Sequence, residues 1–78
     1  MSDQVCKIIE VVGTSTNGVD DAINNAIETA ARTIRDIGWF EVVETTGRVV
    51  DGKVAQFQVT LKIGFKIGSE VGFKFGSD

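Results

Sequence analysis

The sequence predicts a small α+β domain of pattern β-α-β-β, and three observations carry that prediction. Residues 5–12 (Val-Cys-Lys-Ile-Ile-Glu-Val-Val) form a β-branched run bounded by Gly13-Thr14-Ser15-Thr16-Asn17-Gly18. From Val19 onward apolar residues fall at Ala22, Ile23, Ala26, Ile27, Ala30, Ala31, Ile34 and Ile37, the three-four spacing of one helical face. Two further β-rich runs, residues 39–50 and 53–67, flank Asp51-Gly52, the residue pair favoured in two-residue type I′ hairpins.

The first strand is expected over residues 5–12, with a turn over 13–18. Thr16 or Asn17 can cap the helix, and Asp20 and Asp21 lie in a first turn where the helix dipole favours anions. With Gly38 supplying a left-handed residue at its end, the helix spans about 19 residues, roughly 28 Å. Its small residues, Ala22, Ala26, Ala30 and Ala31, let it lie close against a curved sheet. A right-handed crossover makes the first and second strands parallel, and the hairpin makes the third antiparallel to the second. The expected sheet order is therefore 1-3-2, with the third strand central.

Side chains alternate along a strand, so Ala55, Phe57, Val59, Leu61, Ile63 and Phe65 share one apolar face that must meet the helix. Gln56, Gln58, Thr60 and Lys62 face away. On the second strand strict alternation groups Trp39 with Glu41, Val43, Thr45 and Gly47, and sets Phe40 and Val42 on the other side. Trp39, the single tryptophan, thus falls with the polar set. A large ring there wants a partner.

A chain of 78 residues is one domain with a modest core, which usually needs a metal, disulfides or oligomerisation to become robust. One Cys and no His exclude an intrachain disulfide and a Cys/His zinc site, leaving oligomerisation and suggesting a reducing compartment. A monomer would expose the face bearing Trp39 and Val43 together with strand edges, so no stable folded monomer is expected. The formal charge of −3, without a basic run, argues against a nucleic-acid surface. No apolar stretch is long enough to span a bilayer, and residues 1–4 lack the basic and apolar regions of a signal peptide. A soluble, cytoplasmic protein is expected. Residues 63–70 (Ile-Gly-Phe-Lys-Ile-Gly-Ser-Glu) recur with conservative exchanges as residues 71–78 (Val-Gly-Phe-Lys-Phe-Gly-Ser-Asp). Two copies are too few for a solenoid. The division expected is a domain over residues 1–67 and an extension over 68–78, an extra strand, a frayed end, or a segment whose Phe73 and Phe75 cover a neighbour.

Catalysis is not expected. The chain has no His, its Cys6 sits in a strand among apolar residues, and no Ser occupies a nucleophile elbow. Gly13 to Gly18 resembles a phosphate-cradling turn, yet Val19-Asp20 stand where a P-loop needs Lys-Ser/Thr. Glu10, Glu41 and Glu44 could meet across subunits around Mg²⁺ or Ca²⁺, although isolated strand glutamates are far more often solvated or salt-bridged.

Trp39 and Gln58 make the pairing that reads as a site, against the plainer reading that Trp39 seals a subunit interface. A two-residue turn places Trp39 opposite Gly64 and Gln58 opposite Thr45, about 20 Å apart along the sheet. They cannot grip one small molecule within a single chain. A pocket using both is built between subunits, where an indole offers a stacking face and a carboxamide a donor and an acceptor for the edge of a planar heterocycle.

Taken in order and spacing, Lys7-Ile-Ile-Glu-Val-Val-Gly-Thr-Ser15, the helix from Asp21-Ala-Ile, Trp39-Phe-Glu-Val-Val43, Asp51-Gly-Lys-Val54 and Phe57-Gln-Val-Thr-Leu-Lys-Ile-Gly-Phe65 resemble the dodecins. The resemblance covers residues 5 to about 67. It implies β-α-β-β protomers assembled as a hollow homododecamer of cubic symmetry that binds and stores flavin (FMN or riboflavin) in pairs at two-fold interfaces. Trp39 then matches the tryptophan that stacks on the isoalloxazine, Gln58 the glutamine on its polar edge, and Glu44 an acidic residue near the ribityl chain. Thr46 and Lys66 stand where members carry arginines linked to phosphate-bearing ligands such as coenzyme A. The alternative from another class is a structural shell or interaction module without a flavin.

Overall fold

The structure, a computed structural model, describes residues 5–67. The repeated tail beyond Ile67 and the first four residues lie outside them. Strand β1 (Val5–Ser15), helix α1 (Val19–Ala31), strand β2 (Ile37–Val50) and strand β3 (Lys53–Ile67) follow in that order. Both β1 and β2 pair antiparallel with β3, which is central in the order β1-β3-β2. The β-α-β-β pattern and the strand order agree with expectation. So does the hairpin: Asp51 and Gly52 both adopt positive φ, 54° and 75°, as a type I′ turn requires.

Helix α1 packs across β1 and β3. Val59, Leu61 and Ile63 of β3 are fully buried beneath it, with Ala22 and Ala26 as its contact points. The approach is close because the sheet offers Gly13 there, where an added Cβ would overlap the Ala22 carbonyl oxygen and lie 2.9 Å from Ala26 Cβ. Gly13 is therefore inside β1 and not, as the sequence suggests, the start of a turn: β1 runs on to Ser15 because residues 13–15 pair with Val59, Gln58 and Phe57.

The helix N-terminus also differs. Gly18 is the N-cap and no side chain caps it, so neither Thr16 nor Asn17 takes that part. Ser15 organises the turn instead. Its hydroxyl donates to Asp21 Oδ2 at 2.7 Å and accepts from the Asn17 backbone N–H at 2.8 Å, while Asn25 Nδ2 donates to the Thr14 carbonyl at 3.0 Å. A buried serine that satisfies a backbone N–H and a first-turn carboxylate replaces the conventional cap.

At its other end the helix stops at Ala31, well short of residue 37, and Gly38 does not terminate it. Backbone N–H groups of Arg32, Thr33 and Ile34 bond back to Thr29 and Ala30, and Asp36 takes the left-handed conformation at φ 62° before β2 begins. The apolar period outruns the helix because Ile37, already in β2 opposite Phe65, still packs on the core cluster from the strand side.

Strand β2 carries the main departure from simple alternation. Ladder pairs run Val50 with Lys53 and Val49 with Val54, then slip by one at Ala55 and slip back at Val43, so that Arg48 faces Gln56, Thr46 faces Gln58 and Glu44 faces Thr60. Beyond Val43 the original register returns, with Glu41 opposite Lys62 and Trp39 opposite Gly64. Residues directly paired across an antiparallel ladder share a face. Two offset bulges therefore exchange the faces of residues 44–48 and leave Trp39 where plain alternation puts it. Thr45 and Gly47 move to the helix side; Glu44, Thr46 and Arg48 join Trp39.

Candidate functional site

The face of the sheet turned away from α1 is open. Along β3 it presents Gln56, Gln58, Thr60, Lys62, Gly64 and Lys66, flanked on β1 by Thr14, Val12, Glu10, Ile8 and Cys6 and on β2 by Arg48, Thr46, Glu44, Glu41 and Trp39. No element of the described chain covers it. Ile8 and Val12, half exposed, are the apolar members contributed by β1.

Trp39 lies over Gly64. A Cβ built on Gly64 would collide with Cη2, Cζ3 and Cζ2 of the indole at nearly equal distances. That near equality describes a ring lying face-on above the glycine, since an edge-on approach would leave the two flanking atoms markedly farther than the middle one. One face of the indole rests on the backbone of β3. The rest stays accessible, and Trp39 is 44% exposed. An aromatic ring spread over a strand glycine stacks on backbone that a side chain would otherwise shield.

The carboxamide lies elsewhere on the same face. Gln58 is half-buried, and Thr46 Oγ1 donates to its Oε1 at 3.2 Å. This corrects the expected pairing with Thr45, because the slip at Ala55 moves the partner by one residue. Accepting from Thr46 engages the carboxamide oxygen, and among the described residues no side-chain hydrogen bond is made by the amide N–H₂. Six residues of β3 separate Gly64 from Gln58, about 20 Å at strand rise. Within one protomer Trp39 and Gln58 do not meet.

The remaining candidates take definite places. Glu44 pairs with Thr60, between the indole and the carboxamide, and is exposed. Thr46 stands beside Gln58. Lys66, opposite Cys6, lies past Trp39 at the far end of the face from Gln58 and Thr46. Plain alternation puts Glu44 and Thr46 on the helix side; the bulge at Val43 brings them to the open side with Trp39. Arg48, opposite Gln56, arrives there by the same slip and was not among the residues the sequence marked. Gly64 is the other member that sequence reasoning left without a role, although the hairpin register already sets it against Trp39.

Within one protomer the glutamates do not gather into a metal site. Among the described residues no three His, Cys, Asp or Glu side chains come close enough to hold a metal ion. Glu10 and Glu41 instead flank Lys62 from the two neighbouring strands, a row of alternating charge two residues along β3 from the Trp39–Gly64 pair. A groove of about 480 Å³ opens on the helix side, where α1 leaves β2 partly uncovered, lined by Asp20, Ile23, Asn24 and Ile27 of α1 and by Ile37, Gly38, Trp39 and Phe40 of β2. Among the described residues no helix is long and apolar enough to cross a membrane.

Comparison with known proteins gives this arrangement its context. The family model for dodecin matches residues 5–68. The dodecin of Thermus thermophilus is 41% identical over 64 residues, which span 82% of this chain and 93% of that protein. Among solved structures, dodecin from Streptomyces coelicolor superposes with a TM-score of 0.83 at 46% identity, covering 90% of this chain and all of that one. A Mycobacterium tuberculosis protein described as a calcium-chelating immunodominant antigen, calcium dodecin, with a novel calcium-binding site, superposes with a TM-score of 0.71 at 27% identity, covering 88% of this chain and 99% of that one. Strand order, helix placement and a match over nearly the whole described chain agree, and the chain belongs to the dodecin family.

Proposed function

We propose that this protein is a non-catalytic flavin-binding protein that stores and sequesters FMN or riboflavin in the cytoplasm, within a homododecameric shell. The observation that carries the reading is the exposed indole of Trp39 laid over Gly64, on the same open face as a Gln58 carboxamide whose N–H₂ makes no side-chain hydrogen bond among the described residues. The roughly 20 Å between them along one protomer requires a second copy to bring a Gln58 to a given Trp39. Membership in the dodecin family supports that two-fold arrangement.

In the assembled site the isoalloxazine stacks on Trp39, where contact between two extended π systems favours an offset parallel geometry. Gln58 donates to a carbonyl on the flavin's polar edge, and Thr46 holds the carboxamide in orientation by occupying its oxygen. Glu44 lies near the ribityl chain and accepts from its hydroxyls. Lys66, past Trp39, and Thr46, beside Gln58, are our candidates to meet a phosphate-bearing group, that of FMN or of a second ligand such as coenzyme A, and they can act together only between copies. Stacking on an electron-rich indole drains the flavin excited state, so the bound vitamin is protected from photochemistry.

The distribution of apolar surface supports a shell. Beyond the fully buried residues of β3, the chain exposes Phe40, Val42, Val43, Val49, Val50 and Val54 along β2 and the hairpin, a strip that closed symmetry covers. The long axis of the described protomer is 54 Å against 21 and 14 Å for the others, an extended shape suited to shared walls. The test is titration of the ligand-free protein into FMN and riboflavin with flavin emission followed: strong quenching is expected, and unchanged emission at micromolar concentrations overturns the reading. A shell without flavin predicts that Trp39→Ala breaks the assembly, whereas flavin binding predicts an intact assembly that has lost its ligand.

A further inference from the structure

We propose that Gly64 is a positioning residue for the stacking site: the bare backbone at this one position of β3 lets the Trp39 indole lie flat on the sheet and sets the height and tilt at which it meets its ligand. The inference rests on Trp39 being the flavin's stacking partner, and it assigns to a residue outside the contact set the control of that partner's geometry.

The argument starts from the ladder. On the open face of β3 the residues Gln56, Gln58, Thr60, Lys62 and Lys66 all carry side chains of medium or large size, and Gly64 alone carries none. It is also the residue directly paired with Trp39. Glycine in a strand interior forfeits side-chain packing and is unfavourable in backbone entropy, so a mid-strand glycine marks a bulge or a close approach. A register shift adjoins Gly64, where Gly38 is passed over between the Ile37–Phe65 and Trp39–Gly64 pairs, but the extra residue belongs to β2, and on the other side the β1 ladder runs through Ile8 opposite Gly64 without interruption. What distinguishes Gly64 itself is close approach, and the atoms show it. Any Cβ at position 64 would enter the benzo ring of Trp39 at Cη2, Cζ3 and Cζ2, nearer than real Cβ atoms come to anything.

The strand cannot yield to relieve such a clash. Its neighbours Ile63 and Leu61 are fully buried under α1, and both flanking strands hold its backbone. The indole, by contrast, has solvent above it. A side chain at 64 therefore lifts or swings the ring, tilting the surface on which a ligand stacks. Because a two-fold site sets two such rings against each other, a displacement at one is repeated at its mate and the slot between them narrows.

Gly64→Ala is the test, with Gly64→Ala in a Trp39→Phe background as its control, because phenylalanine lacks the outlying ring atoms that a new Cβ would strike. Measurements on the assembled protein are flavin affinity and, without ligand, acrylamide quenching of the single tryptophan. In Gly64→Ala the ligand-free quenching constant is expected to rise and the dissociation constant for riboflavin to increase about tenfold or more, as for loss of a stacking contact. In the Trp39→Phe background the same change should cost less than about threefold. Equal losses in both backgrounds, or unchanged quenching and affinity in the first, overturn the proposal. Should Gly64→Ala fail to fold, recovery of the fold by Trp39→Phe supports it and continued failure overturns it. The quenching measurement needs no ligand, so an absence of flavin binding by the unaltered protein would sink the proposed function while leaving the geometry of Gly64 and Trp39 to be judged separately.

Discussion

Strand β3 has two faces that do different work. Toward α1 it presents Val59, Leu61 and Ile63, each with no accessible surface. Away from α1 it presents Gln58, Thr60, Lys62 and Gly64, with Trp39 spread over the glycine. Those three residues are buried entirely within the protomer. On the second, an aromatic ring has one side covered and one side open, and a half-buried carboxamide has its oxygen engaged and its nitrogen free. The first face explains why this chain folds, and the second leaves interactions to be completed from outside it.

That contrast breaks most sharply at Leu61. Truncation of a fully buried leucine costs about 2–5 kcal/mol, through lost transfer energy and the cavity left behind. Leu61→Ala should therefore lower the denaturation midpoint more than any change on the open face, while the fraction that folds binds flavin with near-normal affinity. Because assembly adds its own free energy, midpoints must be compared at one protomer concentration. Equilibrium denaturation with and without riboflavin checks both halves of the expectation.

Gly13→Ala is the next largest. The new methyl would meet the Ala22 carbonyl oxygen and Ala26 Cβ, so α1 must move off the sheet, and overpacking of this kind costs about 1–3 kcal/mol. Both Gly13 and Gly64 admit a close neighbour, one on each face. Thermal melts of the ligand-free protein should show loss at Gly13→Ala and much less at Gly64→Ala, whose neighbour has solvent into which to retreat.

These two glycines also show how far the sequence could be read. The helix-side face was legible because it obeys a single period: alternating apolar residues on β3 and three-four spacing on α1 leave one way to bury both. Asp51-Gly52 was legible for a local reason, since few residue pairs tolerate positive φ twice in succession. The end of α1 was not. Ile34 and Ile37 continue the apolar period, but Ile37 meets the core from a strand, and periodicity records only that a residue faces inward. The bulges at Val43 and Ala55 were hidden for a different reason: no residue type marks them, and they cancel, so the Trp39–Gly64 pair is the same with or without them. What they alter lies between, where Glu44 and Thr46 turn to the open side and Gln58 gains Thr46 as its partner. Trp39 and Gln58 were thus readable from alternation, and the places of Glu44 and Thr46 depended on two residues' worth of irregular pairing.

On the open face the order of effects should invert, with affinity falling and stability holding. Loss of an aromatic stacking surface costs about 1–3 kcal/mol by analogy with stacked bases. Trp39→Ala should weaken riboflavin binding by about that amount and leave the mass of the assembly unchanged, as read by light scattering beside a flavin titration. A fall to small species would transfer Trp39 from the site to the subunit interface.

Gln58→Ala should have the smallest effect, and its interpretation depends on both faces at once. Its chain neighbours Phe57 and Val59 point toward the helix, so the change leaves the core untouched. What it removes in the ligand-free protein is one exposed hydrogen bond, from Thr46 Oγ1 to Gln58 Oε1, whose donor water can satisfy. Stability should therefore change little. In the complex it removes a donor to a neutral heterocycle, a loss of about 0.5–1.5 kcal/mol, smaller than that for Trp39→Ala. Thr46→Val supplies the sharper comparison, because it keeps the carboxamide and deletes only the hydroxyl that orients it. If orientation matters, Thr46→Val should lose part, and not all, of what Gln58→Ala loses in riboflavin affinity. A Gln58→Ala variant that binds riboflavin normally but melts as early as Leu61→Ala would make the carboxamide a structural member of β3 and leave Trp39 to hold the flavin without it.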